Sequence, residues 1–164
     1  MKIGILSDTH GTLPEEVFTY FKECDEIWHA GDIGNLQVTQ RLADFKRLRA
    51  VHGNIDSQEI RYEYPKSHSF TCEGVRIVII HIAGTPPHYN TLTRRLIDLH
   101  KPDILVCGHT HLALVQRNPG GLLHINPGAI GNHGIHPIRT LMRMTITSGA
   151  PQGLELIEVG EKRY

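Results

Sequence analysis

His109 and His111 close the stretch Asp103-Ile104-Leu105-Val106-Cys107-Gly108-His109-Thr110-His111, an apolar run ending in two imidazoles separated by one residue. Such a run suits a parallel strand covered on both faces, and Gly108 lets the backbone turn sharply at its carboxyl end. Alone, the pair is as compatible with a surface turn as with a ligand site. The pattern recurs upstream, however. Asp8 and His10 follow the apolar segment 2–6, and Asp32 follows 25–29 and a glycine. Asn54 and Asp56 follow 47–51, and His81 follows 75–80. Carboxylate, amide oxygen and imidazole together suit divalent first-row ions from manganese to zinc, with no thiolate required. The set is too large for one tetrahedral ion, so two ions sharing a bridging carboxylate are the economical count. Two ions about 3.5–4 Å apart can clamp an anion and generate a hydroxide near neutral pH.

Singly, these residues have ordinary explanations. Asp8 can cap a helix, Asp32 and Asn54 can fill turns after glycine, and His81 can be a hydrogen-bonded strand-end histidine. Their ordered recurrence favours ligation. Asp56 reads better as a carboxylate orienting its neighbours than as a ligand. His29, before Ala30-Gly31-Asp32, reads as structural, and His52, His68, His88, His100 and His124 as structural or solvated.

The elements that must position these side chains follow from periodicity. Residues 2–6, 25–29 and 47–51 read as strands separated by helices, the first from Pro14 to about Cys24 with Thr12 as its cap. The second helix starts near Asn35, with Leu36, Val38, Leu42, Ala43 and Phe45 on one face. Two βα units imply right-handed parallel crossovers. Residues 68–72 and 75–80 flank Glu73-Gly74, a two-residue hairpin turn. A helix over 89–100 precedes the strand of the opening stretch. Strands at 112–116, 122–125, 141–147 and 154–159 complete a single α/β domain over residues 1–164, parallel at first and mixed later.

Bulk properties exclude several classes of function. Seventeen basic residues balance seventeen acidic ones, so charge gives no argument for nucleic acid or an anionic membrane as main partner. No apolar run is long enough to span a bilayer, and three widely spaced cysteines, Cys24, Cys72 and Cys107, point to a reducing cytoplasm. The segment 57–68, with Tyr62, Tyr64 and Pro65, offers a surface for a homo-oligomer.

The ordered series Asp8-x-His10, Gly31-Asp32, Gly53-Asn54-x-Asp56, His81 and Gly108-His109-Thr110-His111 resembles the calcineurin-like metallophosphoesterases. The short chain and Asn126-Pro127-Gly128 resemble their small bacterial and archaeal phosphodiesterase branch, to which a retromer scaffold subunit is also related. The resemblance implies a four-layer α/β/β/α sandwich of two mixed sheets. It also implies one metal on Asp8, His10 and His111, a second on Asn54, His81 and His109, and Asp32 bridging them. The ions would be manganese first, with nickel, cobalt, iron, zinc or magnesium as alternatives. The expected reaction is direct in-line hydrolysis of a small or nucleotide-like phosphodiester by a metal-bridging hydroxide. A silent protein-binding scaffold, a monoesterase and a pyrophosphatase are the alternatives. Ile55 stands where many larger members carry a proton-donating histidine, so His133 or His136 is the substitute nearest in sequence. Arg139 is a further candidate for a phosphate contact.

Overall fold

The computed structural model describes residues 1–162. In chain order its elements are β1 (Lys2–Leu6), α1 (Glu16–Tyr20), β2 (Glu26–His29), α2 (Leu36–Phe45), β3 (Arg47–Ala50) and α3 (Gln58–Glu63). The hairpin β4 (Ser67–Cys72) and β5 (Val75–Ile80) follows, then a small ribbon, β6 (Gly84–Thr85) with β7 (His88–Tyr89), and α4 (Thr91–His100). β8 (Ile104–Val106), β9 (Ala113–Arg117), β10 (Leu123–Pro127), β11 (Ile138–Thr147) and β12 (Ala150–Glu161) complete the order.

Two mixed five-stranded sheets result, β12-β11-β1-β2-β3 and β4-β5-β8-β10-β9. Alternation along β5 shows how one strand feeds two layers. Ile77 and Ile79 enter the cluster between the sheets with Ile3, Ile5, Trp28, Val106 and Ile125, while Val78 and Ile80 pack outward near Leu96 and Ile97 of α4. The opposite outer face, with Val17, Val38, Leu42 and Ile60, packs α1, α2 and α3 onto the first sheet. The layers are thus α/β/β/α, as the resemblance implies.

Local chemistry explains where elements start. Asn35 and Asn90 each cap a helix through side-chain oxygens that accept from Val38 N (3.2 Å) and Thr93 N (2.9 Å). Several expectations need correction. α1 is a short helix over 16–20 rather than a helix from Pro14 to Cys24, and its N-cap is Glu15, without a side-chain cap bond. α3 occupies part of the 57–68 segment, for which no element is expected from the sequence. Its helical signal is only one and a half turns long, too short for periodicity to reveal. β11 and β12 run longer than expected because they pair with each other over almost their whole length around Ser148-Gly149.

His124 lies on β10 inside the second sheet's outer layer, 1% exposed, with Nδ1 3.3 Å from Tyr89 Oη and Nε2 3.4 Å from Cys107 Sγ. Burial pushes its pKa down to about 4. An unfolded histidine titrates near 6.5. Between those values the unfolded chain takes up a proton that the folded chain refuses. The stabilisation is complete above about pH 6.5 and lost as pH falls toward about 4, by up to about 1.4 kcal/mol per unit. In urea titrations over that range, His124→Gln should lose less stability on acidification than the parent. A pH-independent difference between the two would contradict this.

Candidate metal centre

The carboxyl ends of β1, β2, β5 and β8 meet at one edge of the sandwich, and the loops leaving them adopt an unusual backbone. Asp8, His10, Asp32, His109 and His111 all have positive φ, between 45° and 72°. Left-handed backbone costs a non-glycine residue roughly 1–2 kcal/mol, and such outliers collect at functional sites. Neighbouring glycines make the crowding feasible. A Cβ on Gly108 would lie 2.7 Å from Asp8 Oδ2, and one on Gly53 would overlap Asp32 Oδ1.

Two ligand groups form there. Asp8, His10 and His111 offer donor atoms within 4.8 Å of one another, as do Asp32, His81 and His109. Asp8 Oδ1 lies 3.2 Å from His111 Nε2 and 3.9 Å from the Nε2 atoms of both His10 and His81. Its other oxygen accepts the His109 backbone N–H at 3.1 Å. Asp32 faces both groups, with Oδ2 3.7 Å from His10 Nε2 and Oδ1 3.2 Å from His81 Nε2. His81 Nδ1 donates to Ala30 O at 2.8 Å, so Nε2 presents its lone pair to the site.

The electrostatics suit a cation. Asp8 is fully buried and Asp32 only 2% exposed. Burial alone would raise both carboxyl pKa values, but the imidazoles of His111 and His81 close to Asp8, and of His81 close to Asp32, hold them below the usual carboxylate value. Asp8 Oδ1 and His81 Nε2 are buried without a hydrogen-bond partner. A buried polar atom is costly to leave unmatched, and a shared cation would match both. The donor set therefore fits two divalent ions.

The remaining sequence candidates separate clearly. Asn54 is exposed and lines the cavity that His81 also lines. Asp56 is buried and spends its carboxylate on backbone: Oδ2 accepts from Gly53 N (2.7 Å) and Ile33 N (3.1 Å), and Oδ1 from Gly34 N (2.8 Å). It ties the loop after β2 to the loop after β3, which places it as a positioning residue and not a reacting one. His133 is exposed, its ring centroid 4.7 Å from that of His10. His136 is 3% exposed behind His111, its Nε2 donating to Gly131 O at 3.1 Å, so it has no open path to substrate. Arg139 is likewise buried, 3.9 Å from Glu16 on the outer side of the first sheet, which corrects its proposed phosphate contact.

Three supporting residues were missed or undervalued in the sequence. His29 Nδ1 accepts from Gly31 N at 3.1 Å, so its Nε2 proton goes to Thr9 Oγ1 at 2.9 Å, and Thr9 donates to Ile33 O. Burial pushes His29 down to about 4, so this chain of bonds survives mild acid. Asn126 donates to Gly108 O (2.9 Å) and Thr110 Oγ1 (3.0 Å) and accepts from Gly128 N, clamping the two-histidine turn. Its signal was visible as Asn126-Pro127-Gly128, a mark of the family branch, but without a role for the asparagine side chain. Arg61 on α3 donates to the carbonyls of Asp56 (2.7 Å) and Asn54 (2.8 Å), and nothing in the sequence marks it.

Comparison with known proteins bears on this arrangement. Residues 1–149 match the model of the calcineurin-like phosphoesterase superfamily domain. A probable metallophosphoesterase of Methanothermobacter thermautotrophicus is 33% identical over 135 residues, covering 79% of this chain and 77% of that protein. The phosphodiesterase YfcE of Escherichia coli is 29% identical over 153 residues, covering 79% of each. In fold, Vps29 of Chaetomium thermophilum superposes with a TM-score of 0.76 at 13% identity, over 98% of this chain and 99% of that one. The matched segment contains every strand end that contributes a candidate ligand, and the chain belongs to the calcineurin-like phosphoesterase superfamily.

Proposed function

We propose that the chain is a phosphodiesterase dependent on two divalent ions, manganese foremost. The observation that carries this reading is the placement of Asp32 between two imidazole groups, one carboxylate oxygen toward each. When bound, such a pair of ions supplies a nucleophilic hydroxide near neutral pH and a clamp for the phosphoryl oxygens. One ion would rest on Asp8, His10 and His111. The other would rest on His81 and His109 with Asn54, and Asp32 would join them.

The chain's own residues set the conditions for attack. Asp56 and Asn126 hold the loops, so donor atoms are in place before substrate arrives. Asn54 is a neutral ligand and leaves its site with less negative charge to repel a phosphate oxygen. Ile55 cannot donate a proton to the leaving oxygen, whereas His133 is exposed beside His10 and can. The buried free cysteines Cys24, Cys72 and Cys107 support a reducing, cytoplasmic setting, and no helix among the described residues is long and apolar enough to cross a membrane.

Four measurements test this reading. After chelation, readdition of manganese, nickel, cobalt or zinc should restore hydrolysis of an aryl phosphodiester more than of the matching monoester. No hydrolysis with any metal would instead favour a silent scaffold. Asp32→Asn should lower the affinity for both ions together, and two ions retained at parental affinity would refute the bridge. His133→Ala should lose about 10²-fold or more on an alkyl ester and far less on a nitrophenyl ester, because only the poorer leaving group needs the proton. Equal losses on the two esters would remove His133 from that role. Asp56→Asn should also weaken metal binding, and should lower chelated-protein stability by about 1–3 kcal/mol because backbone amides lose an anionic acceptor. Unchanged thermal midpoints in chelator would show that the tie between loops is dispensable.

A further inference from the structure

A cavity of about 490 Å³ opens directly beside the metal centre and shares Asn54 and His81 with it. That volume lies in the range of small-molecule sites and exceeds what one phosphate fills. Its remaining walls have two characters. Arg61 and Lys66 contribute cationic side chains, while Ile82 and Leu92 contribute apolar ones, and no carboxylate is among its lining residues. Resting on the hydrolase reading above, we propose that the cavity receives the alcohol portion of the diester and that this portion carries a second phosphate.

One of the two positive charges is held in place. The Arg61 guanidinium is held by bonds to the carbonyls of Asp56 and Asn54, so it stays beside the loop that presents Asn54. Lys66 follows Pro65, whose carbonyl accepts from His52 N at 3.0 Å, which anchors the lysine's backbone to the loop after β3. The first turn of α4, carrying Thr91 and Leu92, also lines the cavity and adds the partial positive charge of a helix start. The opposite wall is equally settled, because Asn90 Nδ2 donates to Ile82 O at 2.6 Å and joins the Ile82 loop to α4. A diester phosphate needs none of these groups once metals hold it. Two cations and a helix start without a compensating carboxylate are better accounted for by a second anion. The apolar wall between them suits a body of nucleoside size.

The test uses manganese-loaded protein and two nitrophenyl phosphodiesters of thymidine that differ only by a phosphate on the other sugar hydroxyl. The phosphorylated ester should show a KM about tenfold lower, as a charge-assisted contact implies. Lys66→Ala should reduce that advantage to less than about threefold. Leu92→Asp places an anion in the cavity at a partly exposed position where the helix start tolerates it, and should abolish the advantage. Lys22→Ala, on a distant exposed surface, should preserve it. In parallel, thymidine bisphosphate, which has no diester bond, is titrated calorimetrically into the same proteins. Equal KM values for the two esters, or a ratio indifferent to Lys66 and Leu92, overturn the inference. Lys66-dependent binding of the bisphosphate without hydrolysis of either ester upholds the cavity and overturns the hydrolase reading. Absence of both binding and hydrolysis overturns the two together.

Discussion

Keeping two carboxylates ionised out of water is the constraint that shapes this molecule. An isolated buried carboxylate is unfavourable by several kcal/mol unless paired and hydrogen-bonded. Asp8 and Asp32 are surrounded by imidazoles and by backbone amides of His109 and Ile55. Those partners arrive only if five residues accept left-handed backbone and if glycines stand where a side chain would collide. The strain is local, and the hydrogen bonds of Asp56, His29 and Asn126 hold it in place.

The two sheets provide what those loops need, a pair of rigid edges facing each other. Parallel pairing of β1 with β2 and of β5 with β8 places successive strand ends side by side. Each ligand group then draws on both edges. Asp8 and His10 from the first sheet meet His111 from the second, and Asp32 from the first meets His81 and His109 from the second. Cross-sheet bonds lie within the centre itself, from His109 N to Asp8 and from His81 to Ala30.

Much of this was legible in the sequence. An apolar run followed by Gly or a turn, then Asp, Asn or His, recurs with enough regularity to give the strand ends and the carboxylate and histidine donors. Such a signal is local, so it survives translation into structure. The helices and strands of a mixed α/β domain were equally readable from the switch between helical and alternating periodicity, whereas the four layers followed from the family resemblance. Less readable were the second tier of contacts and the short elements. Asp56 reads as an orienting carboxylate, but which groups it orients is clear only from its amide partners, 22 and 23 residues away on another loop. His133 and His136 are separated by two residues and share a composition, yet one is exposed over His10 and the other is buried behind His111. Arg61 lies on a six-residue helix, where no periodicity can develop. Pairings across distant segments and burial of individual side chains are properties of the assembled fold, and a linear reading has no access to them.

The filling between the two sheets carries a consequence of its own. Because the opposing edges each contribute to either donor cluster, the thickness of that oily layer works as a caliper for the distance between the donors of the two sheets. Ile5, Trp28, Ile79, Val106 and Ile125 lie in that layer and contribute no ligand atom, yet their summed volume sets how far Asp32 stands from His109. Facing sheets pack about 10 Å apart, and interiors yield little to a lost or added methylene. Drift in the choice of these greasy residues would therefore shift the spacing of the two donor clusters, without a single change among the donor side chains.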